Sequence, residues 1–233
     1  MAAGEKRERI HSLDAMRGLS ILLMVVHHAM LDLNGWYGIL GSMLSSTWLQ
    51  TVRLAVVCLF ILLSGASTQF SHSNRRRGLQ MLAFALVITL VTYLYNPDYF
   101  IVFGILHFLG AAALIYSVLG DRMRLPVWLL AALFVVSYWL LVGKDYPVEH
   151  LWLLGITSPR FASSDYFPLF PWLFLYAIGI HWGKQLTARR GPRWIYQLRC
   201  RPLEAVGKRT LWVYLLHQPV LFALHLLFER IAA

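Results

Sequence analysis

The sequence contains few charged residues for its size. Asp, Glu, Lys and Arg make up 14% of the 233 residues, whereas hydrophobic residues make up 58%. A soluble domain has about 25% charged and about 45–50% apolar residues. This shortage of charge excludes an ordinary soluble domain, because runs such as "LPVWLLAALFVVSYWLLVG" exceed what its core could hold. The composition indicates a membrane protein.

Cysteine is also scarce, and no cleavable leader is evident. Cys58 lies in an apolar segment and Cys200 in a basic loop, so we expect no disulfide between them and no metal site that uses them.

The first residues are charged and lead into a segment that contains Arg and His, without a small-residue cleavage site. We therefore expect the N-terminus to remain in the mature protein.

Long apolar runs dominate the rest of the chain. About 20 apolar residues are needed to cross a bilayer as a helix, and these runs are too long and too uniform for barrel strands. The sequence therefore predicts an all-α, polytopic transmembrane helical bundle formed by a single domain over residues 1–233. Small residues in "LSGAS" predict a close helix–helix approach. The seven predicted spans are 13–31, 48–69, 79–95, 100–119, 125–142, 168–186 and 210–229.

The 21 Lys and Arg residues outnumber the 11 Asp and Glu residues. Basic residues concentrate in the cytoplasmic connections of membrane proteins, and this chain gives a strong bias when its N-terminus is placed in the cytoplasm. The bias explains the positive charge as topology and contact with anionic lipid, so no nucleic acid partner is expected. The early basic residues on that side are Lys6, Arg7, Arg9, Arg17, Arg75, Arg76, Arg77, Arg122 and Arg124.

The first predicted span, "DAMRGLSILLMVVHHAMLD", carries five ionisable residues. Arg17 and His28 are eleven residues apart, which places them on one helix face about 16 Å apart along the axis. Asp32 follows His28 by four residues and could accept a hydrogen bond from its imidazole. Asp14 could pair with Arg17 in the same way, whereas His27 points about 100° away from His28 and is expected to be structural.

These residue types suit acyl or proton chemistry. A His held by a carboxylate is a common general base, and a buried Arg suits a phosphate or carboxylate. Ionisable groups inside a membrane are functional by default. The alternative is that Arg17 extends to the membrane surface while the His residues pack against polar neighbours.

Four further polar residues are candidate substrate contacts. Arg53 lies in the second span, and His107 and His217 lie within later spans. For both His residues, a site role and a satisfied place in the core are equally open. Asp165 precedes the sixth span, where it could contact substrate or cap the helix.

Five segments occur in an order that resembles a known family: "SLDAMRGLSILLMVVHHAMLDL", "FILLSGAS", "FGILHFLG", "DYFPLFPWLFLYAIGI" and "LWVYLLHQPVL". They resemble the catalytic-domain family of heparan-α-glucosaminide N-acetyltransferase, in its short bacterial form. A more distant resemblance is to the integral-membrane acyltransferase family three, whose first helix carries Arg, ten residues, then His. Arg17 and His28 match that spacing. In the lysosomal enzyme the position aligned with His28 looks like Asn.

The resemblance implies a multi-pass acetyltransferase of the bacterial inner membrane. It would take an acetyl group from cytoplasmic acetyl-CoA and deliver it to an amine or hydroxyl of an amino sugar or other glycan across the membrane. Arg17 would anchor donor phosphate, with the pantetheine arm along the first helix. His28, oriented by Asp32, would act as general base or acyl carrier, and no metal is expected.

A transporter for a small anion or protons, using the same polar face, is the main alternative. Neither an inverted repeat nor a matching pair of broken helices supports it. A membrane-anchored scaffold would leave the ionisable residues unexplained. The sequence leaves open the acceptor, N- or O-acylation, direct transfer or an acetyl-His intermediate, and whether the protein forms a homodimer.

Overall fold

The computed structural model of the protein describes residues 10–123 and 125–232. Across these residues the chain is all-helical, with 76% helix and no strand beyond two isolated β-bridges. The prediction of an all-α fold is therefore confirmed. Part of the predicted orientation depends on basic residues that lie outside the described residues, namely Lys6, Arg7, Arg9 and Arg124.

Ten α-helices are formed by the described residues. Their bounds are α1 His11–Tyr37, α2 Gly41–Leu44, α3 Thr47–Ala66, α4 Asn74–Tyr95, α5 Ile105–Leu119, α6 Val127–Leu141, α7 Trp172–Thr187, α8 Arg193–Gln197, α9 Arg201–Lys208 and α10 Thr210–Ala232. Each of the seven predicted spans overlaps one of the longer helices.

Five helical segments are long and apolar enough to cross a membrane, judged by length and composition. They comprise α1, α3 with the turn after it, α4, α5 with the turn after it, and α10. By contrast, α6 has 15 residues and α7 has 16. Because a bilayer core about 30 Å thick needs about 20 residues, the count of seven spans stays a prediction. The cytoplasmic location of the N-terminus also stays a prediction.

Large apolar side chains remain exposed along several helices. The exposed fraction is 72% for Leu94 on α4 and 80% for Val118 on α5. Extensive exposed apolar surface marks contact with a membrane or another protein. On helices of this length and composition, lipid accounts for the exposure.

The chain folds into two compact units, residues 1–63 with 191–233 and residues 64–190. In the first unit, α1 packs against α8, α9 and α10. His28 contacts His217, and eight residues later Trp36 stacks on His225 with ring centroids 3.9 Å apart. The two helices therefore run parallel. Parallel direction requires an odd number of crossings between them, which agrees with three intervening spans out of five or five out of seven.

Two glycines bring α1 and α9 into backbone contact. A Cβ at Gly18 would meet the Leu203 carbonyl oxygen, and a Cβ at Gly207 would meet the Asp14 carbonyl oxygen. Only glycine allows helices to approach this closely. His11 Nδ1 lies 2.6 Å from Glu204 Oε2 and joins the same two helices.

In the second unit, α4 packs on α5 and α6 packs on α7. The turn after α3 also contacts α7. A Cβ at Gly65 would meet the Tyr176 carbonyl oxygen, and a Cβ at Gly183 would meet the Ala66 backbone. The close approach predicted from "LSGAS" is therefore confirmed, with α7 as the partner.

Candidate functional site

Polar residues of α1 and α10 meet within the first unit. This α1–α10 polar cluster consists of His27, His28 and Asp32 on α1 and of His217 and Gln218 on α10. Because α1 continues without a break from His11 to Tyr37, the predicted common face of Arg17 and His28 is retained. The cluster lies within two helices that are apolar enough to cross a membrane.

Gln218 links His28 to Asp32. Its Nε2–H donates to His28 Nδ1 at 3.1 Å, and its side chain also lies close enough to Asp32 to interact with the carboxylate. Within the described part of the chain, His28 and Asp32 form no direct hydrogen bond, so Gln218 takes the place that the sequence assigned to Asp32. A neutral His28 whose Nδ1 accepts a hydrogen bond carries its proton on Nε2.

In His217 the two ring nitrogens have the opposite roles to those in His28. Its Nδ1–H donates to the Tyr214 carbonyl oxygen at 2.5 Å. A carbonyl only accepts, so Nε2 of the neutral ring carries a lone pair. That Nε2 is buried and has no partner among the described residues. The two rings stand edge to face, with centroids 5.0 Å apart, so the cluster pairs a donor imidazole with an acceptor imidazole.

A second acceptor of the cluster also lacks a partner. Asp32 Oδ2 is buried without a hydrogen bond to any described residue. Buried polar atoms are nearly always satisfied, and each exception calls for an explanation. Asp32 Oδ2 and His217 Nε2 together suit a ligand that brings N–H or O–H groups, as an amine or a sugar hydroxyl does.

Pro219 directly follows these residues inside α10. It has no N–H, so the carbonyl of Leu215 loses its helical donor. The pair of polar residues before a proline in an apolar run was visible in the sequence. The sequence did not show that Gln218 contacts His28, because His28 lies on α1, far from Gln218 in the chain.

Arg17 lies on α1 toward its N-terminal end. Its Nη1 lies 3.2 Å from Asp14 Oδ1, which confirms the predicted pair. Asp14 is 3% exposed, and the exposed fraction of the Arg17 side chain is 23%. Arg17 is therefore held by the buried carboxylate of Asp14, which lies in the first turn of α1. Arg17 itself lies about 16 Å along the helix axis from His28.

Arg53 lies in the first unit, on α3. Its Nε donates to Gln50 Oε1 at 3.0 Å, and it lies close enough to His27 for an electrostatic interaction. His27 in turn contacts the ring of His28, with centroids 6.1 Å apart. Arg53 is exposed, so it places a positive charge beside the cluster and outside the His28–His217 pair.

Asp165 belongs to the second unit and caps a helix other than the one expected. Its Oδ2 accepts a hydrogen bond from the Ile105 N–H at 3.0 Å, at the start of α5. The cap alternative placed it on the sixth span, but that helix begins only at Trp172. A Cβ at Gly104 would meet Asp165 Oδ2, so glycine makes room for this carboxylate.

His107, in the same unit, uses both ring nitrogens in protein contacts. The Gly104 N–H donates to Nδ1 at 3.2 Å, and Nε2 lies 3.1 Å from Thr89 Oγ1. His107 is 5% exposed. This geometry supports the alternative of a satisfied core residue at the start of α5.

Tyr166 lies in the loop beside Asp165. Burial raises the pKa of Tyr166 to about 12, so the phenol stays protonated and donates to the Trp152 carbonyl oxygen.

Among the side chains that the structure describes, no group of three or more His, Cys, Asp or Glu could hold a metal ion.

Long apolar helices that carry a linked set of His, Asp and Gln side chains define an integral membrane protein with a polar site on its helices. Residues 9–219 match the family model described as "Heparan-alpha-glucosaminide N-acetyltransferase, catalytic". The chain belongs to this family, which confirms the resemblance and implies a membrane acetyltransferase. No curated protein and no solved structure matched the chain.

Proposed function

We propose that the protein transfers an acetyl group from cytoplasmic acetyl-CoA to a glycan-type acceptor across the bacterial inner membrane. The acceptor presents an amine or a hydroxyl, as an amino sugar does. Family membership supports the reaction class. The observation that carries the site is the paired His28 and His217, which offer a donor and an acceptor nitrogen side by side.

The residues divide the proton chemistry between them. His217 Nε2, with its lone pair, takes the proton of the acceptor amine or hydroxyl as that group attacks. His28 donates from Nε2–H to the oxygen on which negative charge develops, the role of an oxyanion donor. Gln218 fixes the His28 ring, and Asp32 Oδ2 accepts a second hydrogen bond from the acceptor. The proton held by His217 leaves with the thiol.

Acetyl-CoA supplies a thioester-activated acetyl group. Arg17, steadied by Asp14, suits one of its phosphates, and the axial distance of about 16 Å to His28 suits an extended pantetheine arm. Arg53 adds positive charge next to the cluster. Asp165 and His107 have roles in the start of α5 and take no part in this mechanism.

Variants of adjacent histidines test the proposal. Purified protein in liposomes receives acetyl-CoA and glucosamine, and release of free thiol and labelled acetyl-glucosamine are both measured. We expect His28→Ala and His217→Ala to lower turnover about 10²–10⁴-fold. His27→Ala, the matched control, stays within a few-fold of wild type.

His28→Asn separates two roles for His28. Asn can donate a hydrogen bond but is not a base. If His28 acts as a hydrogen-bond donor, we expect His28→Asn to retain clearly more turnover than His28→Ala. Equal loss in both variants would instead make His28 the base or acyl carrier. Full turnover in His28→Ala would refute the proposed catalytic site. Substrate transport without thiol release would favour the alternative function, a membrane transporter.

A further inference from the structure

Arg77 is a partly buried cation near the start of α4, in the second unit. Its Nη2 donates to the hydroxyl of Ser64 at 2.9 Å. Within the described ranges, no carboxylate lies within ion-pair distance of Arg77. Other basic residues of the chain do have acidic partners, such as Lys184 with Asp121 at 3.3 Å. Arg77 therefore holds a charge that the described protein groups leave uncompensated.

Neutral polar side chains surround this arginine. The Arg77 cluster consists of Ser64, Gln69, Arg77, Tyr116 and Tyr176. Gln69 Nε2 donates to the Tyr116 hydroxyl at 2.7 Å. Ser64 and Gln69 are buried, and Tyr176 is completely buried. Every member other than Arg77 is uncharged, so the cluster as a whole is positive.

Tyr176 supplies a second, independent feature. Its hydroxyl is buried and has no hydrogen-bond partner among the described residues. It lies close enough to Arg77 and Tyr116 for electrostatic interaction. An unsatisfied buried hydroxyl costs about 1–3 kcal/mol, and next to a cation its natural use is to donate to an anion.

Removing a positive charge from water without a counter-ion is costly. The planar guanidinium matches the oxygens of a phosphate, to which it can donate two parallel hydrogen bonds. We propose that the Arg77 cluster binds a phosphate-type anion, held by the Arg77 guanidinium and the Tyr176 hydroxyl. Two sources carry this chemistry, the phosphates of the acyl donor and the headgroup of an anionic lipid.

The flanking arginines differ from Arg77 in position. Arg75 and Arg76 are exposed and line an open surface cavity of about 400 Å³. They attract anions without desolvating them. They are therefore matched controls, because each has the same charge in the same helical turn but an exposed side chain.

The experiment measures binding without any acceptor, so its outcome is independent of transfer activity. Thermal unfolding of full-length protein is followed with coenzyme A, with inorganic pyrophosphate, and in nanodiscs of phosphatidylglycerol or phosphatidylcholine. We expect at least one phosphate probe to raise Tm. Arg77→Gln should weaken that probe at least about tenfold, while Arg75→Gln and Arg76→Gln stay within about threefold.

The arms identify the source of the phosphate. A shift with coenzyme A and pyrophosphate assigns the site to the donor, which also rests on the proposed function. A shift with phosphatidylglycerol alone assigns it to lipid. His28→Ala should bind every probe as wild type does, so failure of the catalytic proposal and failure of this site are distinguishable.

Tyr176→Phe guards against a folding defect in Arg77→Gln. It removes only the unsatisfied hydroxyl, so we expect it to fold and to weaken the effective probe about fivefold or more. Unchanged affinity in both Arg77→Gln and Tyr176→Phe would overturn the proposal. Equal losses in all three arginine variants, or no shift with any probe, would also overturn it.

Discussion

Gln218→Leu is the most informative single change in the α1–α10 polar cluster. Leucine has a similar size but cannot donate to His28 Nδ1, where Gln218 now forms a 3.1 Å hydrogen bond. It also removes the polar interaction with Asp32. The fold should tolerate the change, because Gln218 is exposed and such substitutions usually alter the free energy of unfolding by less than about 1 kcal/mol.

The expected kinetic effect follows from the lost hydrogen bond. A net contribution of about 1 kcal/mol corresponds to roughly fivefold in rate. A reacting group displaced by about 1 Å can lose about 10²-fold. We therefore expect kcat to fall between about 5- and 100-fold. The KM for acetyl-CoA should change less than about threefold, because Arg17 lies about 16 Å away along α1.

The assay is steady-state thiol release at several acetyl-CoA concentrations, with Tm measured on the same samples. Gln80→Leu is the control, since Gln80 is an exposed glutamine on α4. Wild-type kcat in Gln218→Leu, together with an inactive His28→Ala, would show that His28 works without Gln218. An increased KM with normal kcat would place Gln218 at the donor instead.

Three further changes test the scaffold. Gly207→Ala should lower stability by about 1–3 kcal/mol through overpacking, whereas Gly35→Ala, which meets nothing within 4 Å, should be neutral or stabilising in thermal unfolding; equal effects would contradict the close approach. The hydrogen bond with His11 lowers the pKa of Glu204, so its stabilisation is present above the unfolded pKa of about 4.3 and is lost as pH falls through the lower folded value. Glu204→Gln should flatten Tm against pH over the interval between those two pKa values, and an unchanged slope there would refute the coupling. Asp165→Ala should cost about 0.5–2 kcal/mol as a lost cap with turnover retained; lost turnover at normal Tm would restore its substrate role.

Local features of the site were predictable from the sequence. The Arg17–Asp14 pair depends on a three-residue spacing within one helix, and the structure forms it. The partner of His28 was not predictable, because Gln218 lies 190 residues further along the chain. Asp165 likewise caps Ile105, 60 residues earlier. A spacing rule reaches only neighbours on the same helix, whereas these partners depend on how separate helices pack.

The helices themselves followed from the apolar runs, but their lengths did not. The sixth predicted span began at residue 168, whereas α7 begins at Trp172. Pro168 and Pro171 lack the N–H that a helix interior requires, and each restricts the residue before it. Hydropathy does not register that restriction, so the apolar run extended further than the helix.

The short helices have a consequence for the surrounding lipid. At 1.5 Å per residue, α6 and α7 measure about 22 and 24 Å, less than the hydrocarbon thickness of about 30 Å. As spans of the proposed topology they would thin the bilayer beside them. Lys144, 4.1 Å from the Trp139 ring, forms the kind of aromatic–basic anchor that marks a membrane interface. Bilayers of shorter acyl chains should therefore fit this protein better than thick ones, and the proposed acetyl transfer would cover less distance in them.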